Sequence, residues 1–482
     1  MKTIFLIFPI HLFKNITLLK KAKNCKIMLI EEPRFFTDFK FHKLKLAYHR
    51  ATMKYYYDYL KKNKLDVSYV EFKNVKSDFY KKLSSNKVFY YETYDHKLEN
   101  KLKEKNFTRI NSLNFLITRE KAEENKNLFY KNDKYNFMNF YKYQRKTLNI
   151  LVDKNGEPKD KKWTFDTENR NKLPQGTKLK NPKIYKNKYI NEAIEYVKKH
   201  FSKNYGETDN FIYPVTHTEA NTHLKNFLKN KLNKFGKYED AISKENHFIY
   251  HSILSPILNV GLLTDKEVLK ETSKYENKVK IQDYEGFIRQ LIGWRNYCIV
   301  VYLFDNVKME KMNFFKANKK LPYKKMWEGN TGITPVDDAI KGIVKYAYSH
   351  HIIRLMVLGN YMLLCGFKPM DIYNIFMEWY IDSYDVFMKL NVFGMSQHSV
   401  KNLAMTKPYF SSSNYIVKMS DYSAKEEWTN IFNDLFYAFI NKHKDYLKKN
   451  YGYSRLVTLW NKKTASEKAK ILRNVLSYIK KL

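Results

Sequence analysis

The hydrophobic period changes once along this chain, and that change limits the folds open to it. In the first 150 residues short apolar runs alternate with amphipathic stretches. "KTIFLIF" (2–8), "CKIMLIE" (25–31), "VSYVEF" (67–72) and "KVFYYET" (87–93) have the length and residue types of buried strands. The segments near 43–63, 75–84 and 95–105 read as helices. Such alternation predicts an α/β domain with a largely parallel sheet. From about residue 189 only helical periodicity remains, so an all-α domain follows. Residues 153–184 between them are rich in Lys, Asn, Pro and Gly and predict a long connection. Trp163, Phe165, Asp166 and Arg170 in its middle argue that part of it docks. The expected division is 1–150 (α/β), 151–188 (linker) and 189–482 (helical).

At 482 residues the chain is long enough for two or three domains. No run of about 18 apolar residues occurs, which argues against a membrane span. The opening "MKTIFLIFPIHLF" lacks a small-residue cleavage site and reads as a first buried strand, not a leader. Cys25, Cys298 and Cys365 form no paired motif and fit reduced thiols in a cytoplasmic or nuclear, DNA-associated protein. No GxGxxG or GxxxxGK is present. The formal charge of +39 favours a polyanionic partner, nucleic acid first. A compositional bias toward Lys, Asn, Ile and Tyr is the competing source of that excess. With 77 lysines against 11 arginines, a position that keeps Arg marks a need for a planar guanidinium. Arg170, Arg289, Arg295 and Arg354 are singled out on that ground.

Three segments of the helical half carry chemistry. Ile340, Val344, Ala347, His351, Arg354 and Leu358 recur at helical spacing, placing two polar side chains on an apolar stripe, with His350 beside it. A buried Arg there needs an anion or several carbonyls, and an internal Asp or Glu is the simplest partner. In "YHSILSPILNVGLL" (250–263), Ser255 followed by Pro256 reads as an N-cap and N1 pair, with Ser252 adding a hydroxyl. Helix starts of this kind accept phosphate, although plain capping explains the pattern equally. In "FIRQLIGWRNYC" (287–298), Trp294 is flanked by Gln290 and Arg295, a set suited to a planar, hydrogen-bonding ligand or to ordinary packing.

These segments, with "TGITPVDDAI" (331–340), "HHIIRLM" (350–356), "FGKYEDA" (235–241), "NVFGMSQ" (391–397) and "TKPY" (406–409), stand in an order that resembles the photolyase/cryptochrome superfamily. The details are similar to its prokaryotic (6-4) photolyase branch, the iron–sulfur bacterial cryptochromes and photolyases. The resemblance implies a Rossmann-like parallel-sheet domain followed by a large all-α domain that holds FAD. It places Ser252, Leu254 and Ser255 at the diphosphate. Gln290, Trp294, Arg354, Asp382, Tyr384 and Asn391 fall around the flavin, and His350, His351 and Tyr409 at the lesion. Trp327 in "MWEGNTG" takes the place of an electron-transfer tryptophan. Asp166 and Arg170 match a lid loop near the substrate, with a Mg²⁺ site near Asp166. Glu31 and Glu32 match an acidic pair at an antenna site, commonly for a ribityllumazine.

The departures are equally specific. The family's [4Fe–4S] cluster needs four cysteine thiolates. Three of those positions read Pro335, Ser423 and Glu426, and the segment of the fourth is shortened. No cluster is expected. Trp428, Ile431, Leu435, Phe436 and Phe439, at helical spacing, are expected to fill the vacated volume. The aromatic pair expected before the "YIDSY" segment is Ile375 and Phe376, leaving Trp379, Tyr380 or Tyr384 as substitutes. The expectation is a monomeric, light-driven photolyase acting on UV-damaged DNA, (6-4) photoproducts first. The alternatives are a cyclobutane-dimer photolyase, a cryptochrome photoreceptor without repair activity, and a basic nucleic-acid-binding module that has lost its flavin.

Overall fold

The protein's structure, a computed structural model, describes residues 2–22, 24–401, 403, 405, 408–449 and 451–482. Four strands lie where the apolar runs predict them: β1 (Thr3–Ile7), β2 (Cys25–Ile30), β3 (Val67–Val70) and β4 (Lys87–Tyr91). A fifth, β5 (Thr108–Ile110), has only three residues, two of them exposed, and so gives no apolar signal. All pairs are parallel, in the order β3-β2-β1-β4-β5. β1 is central and covered on both faces, which is why its sequence is apolar without alternation. A small hairpin, Tyr130–Lys131 with Lys134–Tyr135, was also not expected. Its turn residues Asn132 and Asp133 take left-handed φ values of 51° and 57°, as two-residue hairpin turns demand.

Beyond the hairpin every regular element is helical among the described residues, apart from isolated bridges. One hydrophobic core runs from the sheet through the helices without a break. Polar contacts also cross the seam: His42 donates its backbone N–H to Glu378 O (2.7 Å), and His49 Nε2 meets the Tyr384 hydroxyl at 2.7 Å. The connecting segment does dock. Phe165 is buried and its N–H donates to Glu285, Trp163 O accepts from Arg145 Nη1 (2.8 Å), and Asn169 donates to Glu239 (2.9 Å).

The stripe from Ile340 to Leu358 is not one helix face. The helix Thr334–Tyr346 ends at Ala347, which is left-handed at φ 49°. Carbonyls that would continue the helix are taken elsewhere: Ala347 O by Ile381 N, Tyr348 O by His247 Nε2 and Ser349 O by Arg354 Nε. Helix resumes at His351.

The positions that depart from the cluster pattern lie at a packed joint. Tyr422 donates to Asp338 Oδ2 (2.9 Å), in the helix that begins beside Pro335. Trp428 is buried and donates Nε1–H to Glu426 Oε2 (3.0 Å). The helix Trp428–Lys442 buries Trp428, Phe432, Leu435, Phe436, Phe439 and Ile440, with Ile431 partly buried. The C-terminal helix Ala465–Lys481 docks through one face: Ile471 is buried and Tyr478 donates to Thr331 O.

Candidate active-site cavity

The helical half contains a cavity of about 280 Å³ that opens to solvent. Three segments of its wall are π-helical: Arg289–Arg295, Ile353–Gly359 and Leu390–Ser396. Widening a helix by one residue per turn is uncommon and concentrates at functional sites. Here each widened turn turns polar side chains toward one space: Gln290 and Trp294 from the first, Arg354 from the second, Asn391 and Ser396 from the third. The last two turns approach closely at Gly359, where an added Cβ would lie 2.8 Å from Ser396 Cβ.

Arg354, in the wall, is held at all three guanidinium nitrogens. Its Nη1 and Nη2 donate to the two carboxylate oxygens of Asp382 at 2.9 and 3.1 Å, and Nε donates to Ser349 O at 2.7 Å. The guanidinium lies 3.9 Å from the Tyr380 ring centre. Its missing partner is therefore not a ligand but Asp382, 28 residues along the chain. Ser255 donates its hydroxyl to the same carboxylate (2.6 Å), and Asn259 donates to Asp382 O (3.0 Å). Ser255 is thus the first residue of the short helix Ser255–Val260, not its cap; Leu254 precedes it, with its N–H on Ser252 Oγ (3.3 Å). Trp294 Nε1 donates to Asn391 Oδ1 at 3.3 Å. Phe287, Leu258, Phe376, Phe387 and Met395 supply apolar wall.

The two adjacent histidines separate. His351 lines the cavity, and its exposed face opens into it. His350 is buried behind the wall, its ring stacked on that of His251 at 4.4 Å and 9°. His251, which the sequence reading passed over, does line the cavity. Burial, with help from Arg354 and Arg289, lowers His351 to about 4. It therefore titrates below the ordinary imidazole range. The wall group that titrates near neutrality is Asp240, pushed up to about 7 by burial beside Glu239 and Asp166.

Asp240 belongs to a mouth of mixed charge. Gln290 donates to Glu239 (2.6 Å); Arg289 pairs with Glu239 (3.0 Å) and Asp166 (3.3 Å); Arg170 pairs with Asp166 (2.9 Å). Both carboxylate oxygens of Asp166, the residue expected near a Mg²⁺ site, are thus paired with guanidinium groups. Among the described residues no group of three or more His, Cys, Asp or Glu is placed to hold a metal ion. Tyr409 is felt electrostatically by Asp166, Arg170 and Asp240, beside the cavity but not in its wall. Thr406 and Lys407 of its motif lie outside the described residues. Tyr384 is not in the wall either; it faces the sheet domain through His49. Trp327 lies in a separate groove. At the sheet, Glu31 accepts from Arg50 (2.8 Å), Tyr69 (2.6 Å) and Tyr196 (2.8 Å), and Glu32 from Tyr80 and Lys101, so both carboxylates are occupied by the protein itself.

A sequence model of the family described as deoxyribodipyrimidine photo-lyase-related protein matches residues 5–213. The chain is 33% identical to a (6-4) photolyase of Agrobacterium fabrum over 356 residues, 71% of this chain and 70% of that protein. Its fold is similar to that of a bacterial class III photolyase from Agrobacterium tumefaciens, with a TM-score of 0.60 at 16% identity, covering 100% of this chain and 98% of that one. It also matches an archaeal photolyase from Sulfolobus tokodaii crystallised with two FAD molecules, with a TM-score of 0.56 at 14% identity over 100% of both chains. A curated relative that close over most of both lengths, on a parallel sheet joined to a helical body, settles the family: the chain belongs to the photolyase/cryptochrome superfamily.

Proposed function

We propose that the protein is a DNA photolyase that holds FAD in the helical cavity and reverses (6-4) pyrimidine photoproducts. The observation that carries this reading is the wall itself: an apolar slot with a few converging polar groups, set by three π-helical turns. The fit to a flavin nucleotide is chemical. Trp294, Leu258, Phe287 and Met395 suit a flat ring system, the Arg354–Asp382 pair presents donors and acceptors to its polar edge, and Ser252, Ser255 and Asn391 offer hydroxyl and amide groups. Bound there, reduced flavin supplies light-driven one-electron donation, chemistry that no side chain provides.

The rest falls to the protein. Arg354, fixed by Asp382, keeps a positive charge beside the space where negative charge would accumulate. Neutral His351 presents an imidazole N–H at the wall, and Asp240, half protonated near pH 7, is the acid that can replenish a proton there. The formal charge of +39 supplies the phosphate attraction that brings damaged DNA to the mouth, where an unstacked lesion is cheapest to extrude. No [4Fe–4S] cluster takes part in this reading: three cysteines cannot supply four thiolates, and Cys25 on β2, Cys298 in the cavity wall and Cys365 at the end of the helix Asn360–Cys365 stand on separate elements.

The test is illumination of the reduced, flavin-containing protein with short oligonucleotides carrying either a (6-4) photoproduct or a cyclobutane dimer, followed by product analysis. Restored bases from the (6-4) substrate alone are expected. Restoration of the dimer instead moves the protein to the other photolyase class, and restoration of neither makes it a photoreceptor. His351→Ala is expected to keep flavin photoreduction and lose most repair; equal loss of both would make His351 a purely structural group.

A further inference from the structure

Among the described residues two lysines are buried, and their surroundings differ. Lys389 pairs with Glu310 at 2.8 Å and with Asp385 at 3.2 Å. Lys45, 1% exposed in the first turn of the long helix Lys43–Lys62, makes no ion pair with any described residue. Its Nζ donates to Ser383 O, across the seam between the sheet and the helices, and lies 4.4 Å and 5.0 Å from the ring centres of Phe41 and Tyr384. One carbonyl and two ring faces stand in for the water that an ammonium would otherwise hold.

The charged groups around Lys45 are committed elsewhere. Asp95 and Asp385 share a small cavity with it, but Asp95 accepts from Arg34 (2.7 Å), and Asp385 holds Lys389 and the hydroxyls of Tyr302 and Tyr373. Arg34, in the same cavity, repels an ammonium. His49, one turn along Lys45's own helix, is lowered to about 3 by burial and by Lys45, so it brings no charge. It donates Nδ1–H to Phe35 O (3.2 Å) and accepts from the Tyr384 hydroxyl (2.7 Å). The cavity, about 10 Å³, is too small to admit an anion from solvent. The attraction that remains is Asp382, next in the chain to the carbonyl that Lys45 holds, and the residue that fixes Arg354 and Ser255. Burial outweighs that attraction and lowers Lys45 to about 7.

We propose that Lys45 is a positioning residue for the flavin site: as an ammonium it clamps the segment that carries Asp382 and tightens the hold on Arg354, and as an amine it releases part of that hold. The inference rests on the flavin reading above. Lys45 is not in the cavity wall and touches no ligand, so its part is played through Asp382. Ser383 is otherwise pinned on the helical side alone, its N–H on Tyr380 O (3.2 Å) and its hydroxyl on Phe376 O (2.7 Å), and Lys45 adds the hold from the sheet side. The same charge favours an anionic ligand, and FAD carries two phosphates. The protonated form of Lys45 is therefore the one that binds flavin better, and flavin affinity falls as pH rises through neutrality.

The experiment follows flavin release and the visible absorption of bound flavin between pH 6 and pH 9, in the dark, for flavin-containing full chains of wild type, Lys45→Met and Lys45→Gln. Lys45→Met keeps the apolar stem and removes charge and donor; Lys45→Gln removes the charge and keeps a donor. Wild type is expected to release flavin about fivefold faster at pH 9 than at pH 6, with the band shape of the bound flavin changing over the same interval. Both variants should release it at a single rate, that of wild type at pH 9, and lose the spectral change. A side chain that only filled space would raise release at every pH and leave the profile in place. Equal release by wild type at both pH values, or a wild-type profile kept in whichever variant folds, would overturn the proposal. Wild-type protein purified without flavin would instead remove the reading on which it stands.

Discussion

Arg354 is already paired before any ligand arrives. Its guanidinium and the Asp382 carboxylate are both largely buried, and each satisfies the other. Arg354→Ala alone strands a buried carboxylate, which costs about 3–5 kcal/mol. Arg354→Ala/Asp382→Asn is expected to recover much of that in chemical denaturation while still purifying without flavin; full flavin occupancy in either variant would remove Arg354 from the site. The sequence reading had both residues but not the pair, because nothing local ties positions 28 apart. Asp240 was hidden for the same reason: it looked like one acid in "FGKYEDA", and only burial beside Glu239 and Asp166 sets its behaviour. Its folded-state pKa, about 7, lies above the unfolded value near 3.9. The folded protein therefore holds the extra proton between those values, and stability falls as pH rises through that window. Asp240→Asn should melt higher than wild type at pH 8 and differ little at pH 4; a constant offset at both would mean that Asp240 does not titrate there.

At the scale of elements, four strands were legible because buried parallel strands read as short apolar runs. β5 was not, being three residues long and mostly exposed. The π-helical turns left no trace either. A one-residue widening alters which side chains face a space without altering the hydrophobic period enough to read, so Gln290, Trp294 and Arg354 stood out by residue type but not by the space they share, and Asn391 had to come from family resemblance. The left-handed break at Ala347 was invisible because Ala favours helix; contacts to Ile381 and His247 override that preference. The helix Trp428–Lys442 was legible, and it makes a sharp prediction. Trp428 is 3% exposed. Its truncation to Ala should cost about 3–5 kcal/mol in denaturant unfolding. Iron chelators should leave wild-type stability unchanged, and iron with acid-labile sulfide near stoichiometric amounts in anaerobically purified protein would refute a cluster-free fold.

Over the whole molecule, sequence composition pointed to two parts and the structure joins them. The core passes from the sheet into the helices, and the seam carries His42 to Glu378, His49 to Tyr384 and Lys45 Nζ to Ser383 O, the residue next to Asp382. Calorimetry of the full chain should therefore show one unfolding transition, and residues 189–482 expressed alone should fail to give a cooperative melt. Two well-separated transitions would show that the seam is weaker than its contacts imply. The boundary near residue 150 is a feature of composition, because linkers are polar, and contacts between the two sides run across it. Lys45 reaches across from the long helix Lys43–Lys62 to the segment that fixes Arg354. A recombination breakpoint placed between the halves would exchange one side of that seam and keep the other. A chimera carrying a relative's first half is therefore expected to loosen the Arg354–Asp382 pair through that seam even though no cavity residue is replaced, which flavin occupancy would read.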